Sequence, residues 1–329
     1  MTTAHAIHTI DTGFNRPRFD AAYLVVEDGH GAFIDCGTNH SLPRMLAALD
    51  AAGLKPEQVD WLILTHVHLD HAGGAGELMT KLPNAELVVH PRGARHMIDP
   101  SKLWAGATAV YGEEEMQRSY GNGLTPVPAE RVIEAEDGHI VDLAGRELVC
   151  LDTPGHASHH NAIHDTRSGC VFSGDTFGLS YREFDTAKGP FILPTTSPVQ
   201  FDPDALHHSI DRILALKPPA VYPTHFARIE DVDRLGHDLH EQIDAMVAMA
   251  QMADALDGQQ RHAALKTGLR ELYARRATRH GWNGDAARLD DLIGMDVELN
   301  AQGLAVWLDH RARARGTPVG GGAGRTSSA

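Results

Sequence analysis

Cysteine is scarce in this chain, with Cys36, Cys150 and Cys170 the only three in 329 residues, each within an apolar, strand-like run. An odd, sparse count without paired spacing argues against a disulfide framework and reads as reduced core thiols in a cytoplasmic protein. Basic residues are in deficit as well: 29 Lys and Arg stand against 44 Asp and Glu, a formal charge of −15. Phosphate backbones are bound by basic faces, so a nucleic-acid partner is not expected and a ribonuclease reading is disfavoured. No run approaches the roughly 18 apolar residues of a membrane span. The stretch Met1 to Asp11 shows no cationic segment followed by an apolar core, so no secretory leader is expected and no membrane partner either. A small-molecule substrate remains as the expected partner, and the oligomeric state is open, a homodimer included.

Histidine, by contrast, is abundant at 22 residues. A chain this rich places some histidines together by chance, so context has to decide. In Val59-Asp-Trp-Leu-Ile-Leu-Thr-His66-Val-His68-Leu-Asp70-His71-Ala-Gly73-Gly74 a short apolar run breaks off into four potential metal ligands. Neutral imidazoles and a carboxylate suit a borderline divalent ion such as zinc. His66 and His68 alternate as in extended chain, so both face one ion only if the strand has ended and the backbone bends around it. Asp70 and His71 lie further into the turn, within reach of a second ion.

The surrounding pattern is that of a layered α/β protein. Ala22 to Glu27 and Ala32 to Cys36 flank a Gly-rich turn and read as a hairpin. A helix follows from Ser41 to Gly53, then the strand Val59 to Leu64, a helix over Gly76 to Leu82 and a strand from Ala85 to His90. This β-α-β-α-β rhythm is expected to repeat through Glu147–Asp152, Asn161–His164, Cys170–Ser173, the helix Pro203 to Leu216 and the strand Ala220–Tyr222. Residues 92 to 130, with Trp104, Tyr111 and Tyr120, and residues 177 to 200, with Tyr181, Phe184 and Phe191, read as long ordered loops that wall a substrate pocket. From residue 236 to 315 the texture is helical, with a Met-containing apolar stripe that reads as packing. Residues 316–329 are Gly- and Ser-rich and read as a disordered tail. A catalytic domain over 1–235 and a helical appendage over 236–315 are the expected division.

Thr65-His66-x-His68-x-Asp70-His71-x-Gly73-Gly74 resembles the signature of the metallo-β-lactamase superfamily, and within it the glyoxalase-II and lactonase-like hydrolases. Thr153-Pro154-Gly155-His156, Ser173-Gly174-Asp175 and Pro223-Thr224-His225 resemble later motifs of that superfamily, in the expected order. The resemblance implies a four-layer αβ/βα sandwich with a C-terminal helical appendage. It also implies two divalent ions, zinc first, with manganese or iron as alternatives. His66, His68 and His156 would hold one ion, Asp70, His71 and His225 the other, with Asp175 bridging. His159 and His160 read as residues behind these ligands or in the pocket. Such a pair of ions shares a hydroxide as nucleophile and polarises a carbonyl, which implies hydrolysis of an ester, lactone or thioester. Asp70 would orient that hydroxide and carry its proton, and Tyr181 would bind the substrate carbonyl.

Departures from relatives narrow the expectation. Zinc β-lactamases of the superfamily typically carry Cys where Asp175 stands and lack the full Asp70-His71 pair, so antibiotic cleavage is not expected. The flavodiiron branch has Glu at the position of His68, which argues against oxygen reduction. No glutathione-anchoring basic motif is evident in the helical region, so the resemblance does not extend to a strict glyoxalase-II substrate. Two rivals stand beside the hydrolase: a mononuclear iron persulfide dioxygenase, using two His and one Asp, and a non-catalytic scaffold with a degenerate site.

Overall fold

Side chains alternate across a strand, and β2 (Ala21–Glu27) puts this to use. Ala22, Leu24 and Val26 enter one apolar cluster while Ala21, Tyr23 and Val25 enter another, so the strand is buried on both faces. The computed structural model describes residues 5–197 and 200–314. The tail expected over 316–329 lies outside the described residues.

The first sheet runs in chain order: β1 (His5–Asp11), β2, β3 (His30–Ile34), β4 (Val59–Ile63), β5 (Glu86–Val89) and β6 (Val132–Glu134). β1 to β3 are antiparallel, with Tyr23 opposite Ile34 in the expected hairpin. From β3 onward pairing is parallel, because crossovers through helices return the chain to the same edge. Those helices are α1 (Leu42–Ala52), α2 (Leu69–Ala72), α3 (Ala75–Lys81), α4 (Pro91–Ile98), α5 (Ser101–Tyr111) and α6 (Glu113–Tyr120). Gly53, at φ 70°, closes α1 in the left-handed conformation that glycine adopts without strain.

The second sheet has the order β11 (Val221–Pro223), β10 (Val171–Gly174), β9 (Asn161–Asp165), β8 (Arg146–Asp152), β7 (Ile140–Leu143). It differs from the repeated β-α-β rhythm expected. β7 to β10 form an antiparallel meander, since short turns and no helices connect them, and only β10 to β11 is parallel, through α7 (Pro203–Ala215). The C-terminal region is α8 (Val232–Met252), α9 (Gly258–His280) and α10 (Ala286–Ala314).

Four layers result. Met45, Leu49 and Leu78 cover the outer face of the first sheet with Leu24, Phe33 and Leu62. Tyr23, Ile34 and Ile63 meet Cys150, Ile163 and Phe172 between the sheets. The outer face of the second sheet, through Ala162, Val171 and Val221, shares one cluster with Ile210, Leu239, Leu269 and Leu304 of α7 to α10. This is the αβ/βα sandwich, with C-terminal helices extending its outer layer. The three cysteines are buried and unpaired.

Residues 92 to 130 are not a loop. Three helices occupy most of the segment, with Gly112 at φ 82° separating α5 from α6. The aromatics of residues 177 to 200 are also placed differently from expectation. Phe184 is buried against Trp282, and Phe191 against His280 beside a pocket formed with Arg234, Gln242 and Arg276 of the C-terminal region, which includes none of the expected ligands. Burial of large rings gains more than exposure at a mouth, and the helices supply the surface that buries them.

Candidate metal centre

The two sheets are stitched together where their strands end. Asn161 donates to the carbonyl of Thr65 at 2.7 Å, and Ala21 to that of Thr224 at 2.8 Å. Residues just past β4, β8, β10 and β11 therefore converge on one place, the carboxyl end where open α/β sheets bind ligands. After Leu64 the chain leaves the sheet, and His68, at φ −66° and ψ 152°, caps the first turn of α2. That bend turns His66 and His68 toward each other. Gly74 is needed beside it, because a Cβ there would lie 2.6 Å from the Thr38 carbonyl oxygen.

The structure brings all seven sequence-predicted ligand residues together. His66 Nε2 lies 2.8 Å from His68 Nδ1, and His156 Nε2 lies 3.1 Å from the same atom. On the other side His225 Nε2 is 3.5 Å and His71 Nε2 3.7 Å from Asp70 Oδ2. Asp175 stands between the groups, with Oδ2 3.4 Å from His156 Nε2 and Oδ1 3.4 Å from His71 Nε2. In each of the sets His66–His68–His156 and Asp70–His71–His225 the donor atoms lie within 4.8 Å of one another.

Tautomers follow from the partners behind the rings. His156 Nδ1 faces the Thr195 carbonyl at 3.3 Å and His225 Nδ1 the Phe19 carbonyl at 2.9 Å, and a carbonyl only accepts. His71 Nδ1 faces Asp35 Oδ2 at 2.9 Å. Each Nδ1 therefore carries a hydrogen and each Nε2 points inward, where it can ligate a metal once it has no proton of its own. His71 Nε2 and Asp175 Oδ1 are buried without a hydrogen-bond partner, whereas buried polar atoms ordinarily have one. Five imidazoles and two carboxylates fit zinc, manganese or iron.

The family described as Metallo-beta-lactamase superfamily matches the chain over residues 15–225. The chain belongs to the metallo-β-lactamase superfamily. Metallo-beta-lactamase fold-containing protein ST1585 of Sulfurisphaera tokodaii is 27% identical over 219 residues, 65% of this chain and 76% of that protein. Its solved structure aligns with a TM-score of 0.65 at 23% identity, over 92% of this chain and 99% of the other, and establishes likeness of fold. A hydroxyacylglutathione hydrolase of Aeromonas hydrophila is 27% identical over 202 residues, 61% of this chain and 59% of that enzyme. The acyl-coenzyme A thioesterase MBLAC2 of Gallus gallus is 28% identical over 167 residues, 46% of this chain and 56% of that protein.

Electrostatics in this metallo-β-lactamase-fold site act differently on the two ligand sets. Burial, helped by neighbouring imidazoles, pushes His66 and His68 well below the usual histidine range, so both are neutral. Burial would raise Asp70 and Asp175, but the His71 and His225 imidazoles beside them outweigh it and hold both carboxyls low. The same carboxylates, against the opposing effect of burial, raise His71 and bring His225 up to about 9. Two ionised carboxylates in a buried cluster thus draw positive charge toward them.

Sequence reasoning does not pick out Asp35 and Asp20, whereas it reads His159 and His160 as residues behind the ligands or in the pocket. Asp35 follows an apolar strand, the same signal that marks Asp175, and is buried behind His71. Asp20 is fully buried close to His225, with burial pushing its carboxyl up to about 7; nothing in its sequence setting marks it. His160 backs the site, accepting from the Asp175 amide at 3.1 Å, while Thr153 Oγ1 lies 2.9 Å from its Nδ1. His159 stacks near His66, with ring centroids 6.2 Å apart.

Tyr181 has a hydrogen-bond partner other than the expected substrate carbonyl. Its ring, 1% exposed, stacks on Phe19, and its hydroxyl donates to Asp296 Oδ1 of α10 at 3.1 Å. A buried phenol must be paired, and the C-terminal helix supplies the acceptor. The apolar surface beside Asp70 comes instead from Phe14 and from Trp104, Met116 and Tyr120 of α5 and α6, which pack around Leu69.

Proposed function

We propose that this metallo-β-lactamase-fold protein is a dinuclear metal-dependent hydrolase acting on an ester, lactone or thioester. The observation that carries the reading is Asp175, whose two oxygens face histidines of the two ligand sets at 3.4 Å each. A carboxylate placed so is suited to bridging. Two relatives named as a hydroxyacylglutathione hydrolase and an acyl-coenzyme A thioesterase support a thioester among the candidate substrates.

His66, His68 and His156 would hold one ion and Asp70, His71 and His225 the other, with Asp175 between them. Zinc or manganese there would acidify water to give a nucleophile near neutral pH and polarise the scissile carbonyl. The chain's own part is to orient and to move protons. Asp70 is the carboxylate of the pair that reaches solvent, its side chain 23% exposed against 6% for Asp175. It is therefore placed to hold the attacking water and to pass its proton to the leaving group. Leu69, Phe14 and Tyr120 offer an apolar wall to the acyl portion of the substrate.

The test is zinc- or manganese-loaded protein, analysed for metal content and assayed anaerobically on esters, lactones and thioesters. Two ions per chain and turnover are expected, with Asp175→Ala losing both while circular dichroism stays close to that of the parent. Stoichiometry fixed at one ion, with activity confined to the iron form and oxygen uptake on a persulfide, would decide for the dioxygenase.

A further inference from the structure

The segment 194 to 197 connects the C-terminal helices to the ligand His156. The Thr195 carbonyl faces His156 Nδ1 at 3.3 Å, so its position sets the direction of the Nε2 lone pair. Asn300 of α10, 1% exposed, grips the chain on both sides of Thr195. Its Oδ1 accepts from the Thr196 amide at 2.7 Å and its Nδ2 donates to the Pro194 carbonyl at 3.1 Å. The side chain is itself fixed by a 2.8 Å bond to the Tyr273 hydroxyl of α9. One turn further along α10, Gly303 lets the helix approach the same segment. A Cβ at Gly303 would lie 2.1 Å from Thr196 Oγ1 and 2.7 Å from the Ser197 carbonyl oxygen, so only glycine permits this contact.

We infer that Asn300 and Gly303 are positioning residues for the His66–His68–His156 metal position, acting through the Thr195 carbonyl on His156. The inference rests on the dinuclear reading above and deepens it. By this geometry the C-terminal helices set the affinity of one of the two metal positions. The partners behind His71 and His225, Asp35 and the Phe19 carbonyl, come from other elements. That position should be indifferent to α10's grip on Thr195. Loss of a partner behind a ligating histidine typically weakens metal binding about 10- to 100-fold.

The experiment is zinc titration of the full chain against a chelating indicator, for the parent, Asn300→Ala, Gly303→Ala, and Asn300→Ala combined with His156→Ala or with His225→Ala. Expected for Asn300→Ala is an about 10- to 100-fold weakening of one zinc site with the other unchanged. The effect should vanish in the His156→Ala background and persist in the His225→Ala background. Gly303→Ala, which removes no hydrogen bond, should weaken the same site and serves if Asn300→Ala does not fold. Weakening of both sites alike, persistence of the effect without His156, or variants that bind like the parent would each overturn the inference. Parent protein that binds no zinc would overturn the dinuclear reading and this inference together, whereas parent protein with two zinc ions and unaffected variants overturns the inference alone.

Discussion

Asp35 is the residue on which three strand ends meet. It accepts from the Thr65 amide at 2.8 Å, Thr65 Oγ1 at 2.7 Å and Thr224 Oγ1 at 3.2 Å, and pairs with His71 Nδ1 at 2.9 Å. Asp35→Asn preserves shape but turns an amide N–H₂ toward groups that all donate. Zinc titration should find metal affinity at the Asp70–His71–His225 position about 10- to 100-fold weaker. Tyr181 calls for a different experiment. Tyr181→Phe keeps the stacked ring but leaves the Asp296 carboxyl, pushed up to about 6 by burial, without its phenol donor. Denaturant unfolding should show a loss of about 1–3 kcal/mol, with turnover and metal content held. A large fall in turnover would restore Tyr181 to substrate binding. His66, His68, Asp70 and His71 are legible in sequence because their spacing is local, and His156, Asp175 and His225 through the motifs that resemble the superfamily, whereas the roles of Asp35 and Asp296 come from distant segments.

Between elements, Arg146 of β8 makes a buried charged tie. Its guanidinium meets both oxygens of Asp165 on β9, with Nε 2.9 Å from Oδ1, and reaches Glu27 Oε2 on β2 of the other sheet at 3.5 Å. All three side chains are buried. Burial alone would raise the Asp165 carboxyl, but its hydrogen bonds to Arg146 and Ser168 hold it below the ordinary carboxylate range. Its folded pKa is depressed, so the pair stabilises the fold above the unfolded carboxylate value of about 4, and that stability is lost as pH falls through the folded pKa. Arg146→Met should cost about 3–5 kcal/mol at neutral pH by leaving the buried Asp165 carboxylate without its cation. The deficit should shrink below pH of about 4 when unfolding is followed against pH. The segment 92 to 130 illustrates what local pattern hides. α5 and α6 are short and separated by Gly112, so Gly and Glu read as loop composition until Leu69 and Phe14 supply the surface that α5 and α6 pack against.

At the scale of the molecule, the ligands come from both halves of the sandwich: His66, His68, Asp70 and His71 after β4 of one sheet, His156, Asp175 and His225 from the other. Ions bound there would hold the two sheets together, and binding to the folded state alone raises its stability. Stripping metal with a chelator should therefore lower the melting temperature, zinc should restore it, and Asp175→Ala should abolish the difference in calorimetry. Among the described residues no helix is long and apolar enough to cross a membrane. The sequence by itself determined the ligand cluster at His66, His68, Asp70 and His71 and the strands and helices of the first half, because metal-ligand spacing and apolar periodicity are properties of neighbouring residues, and the resemblance of later motifs added His156, Asp175 and His225. It left undetermined the meander of the second sheet, the helices over 92 to 130, the burial of Phe184 and Phe191, and the hold of α10 on Thr195. Only the tertiary structure decided these, because each depends on a surface or hydrogen-bond partner that lies far away in the chain.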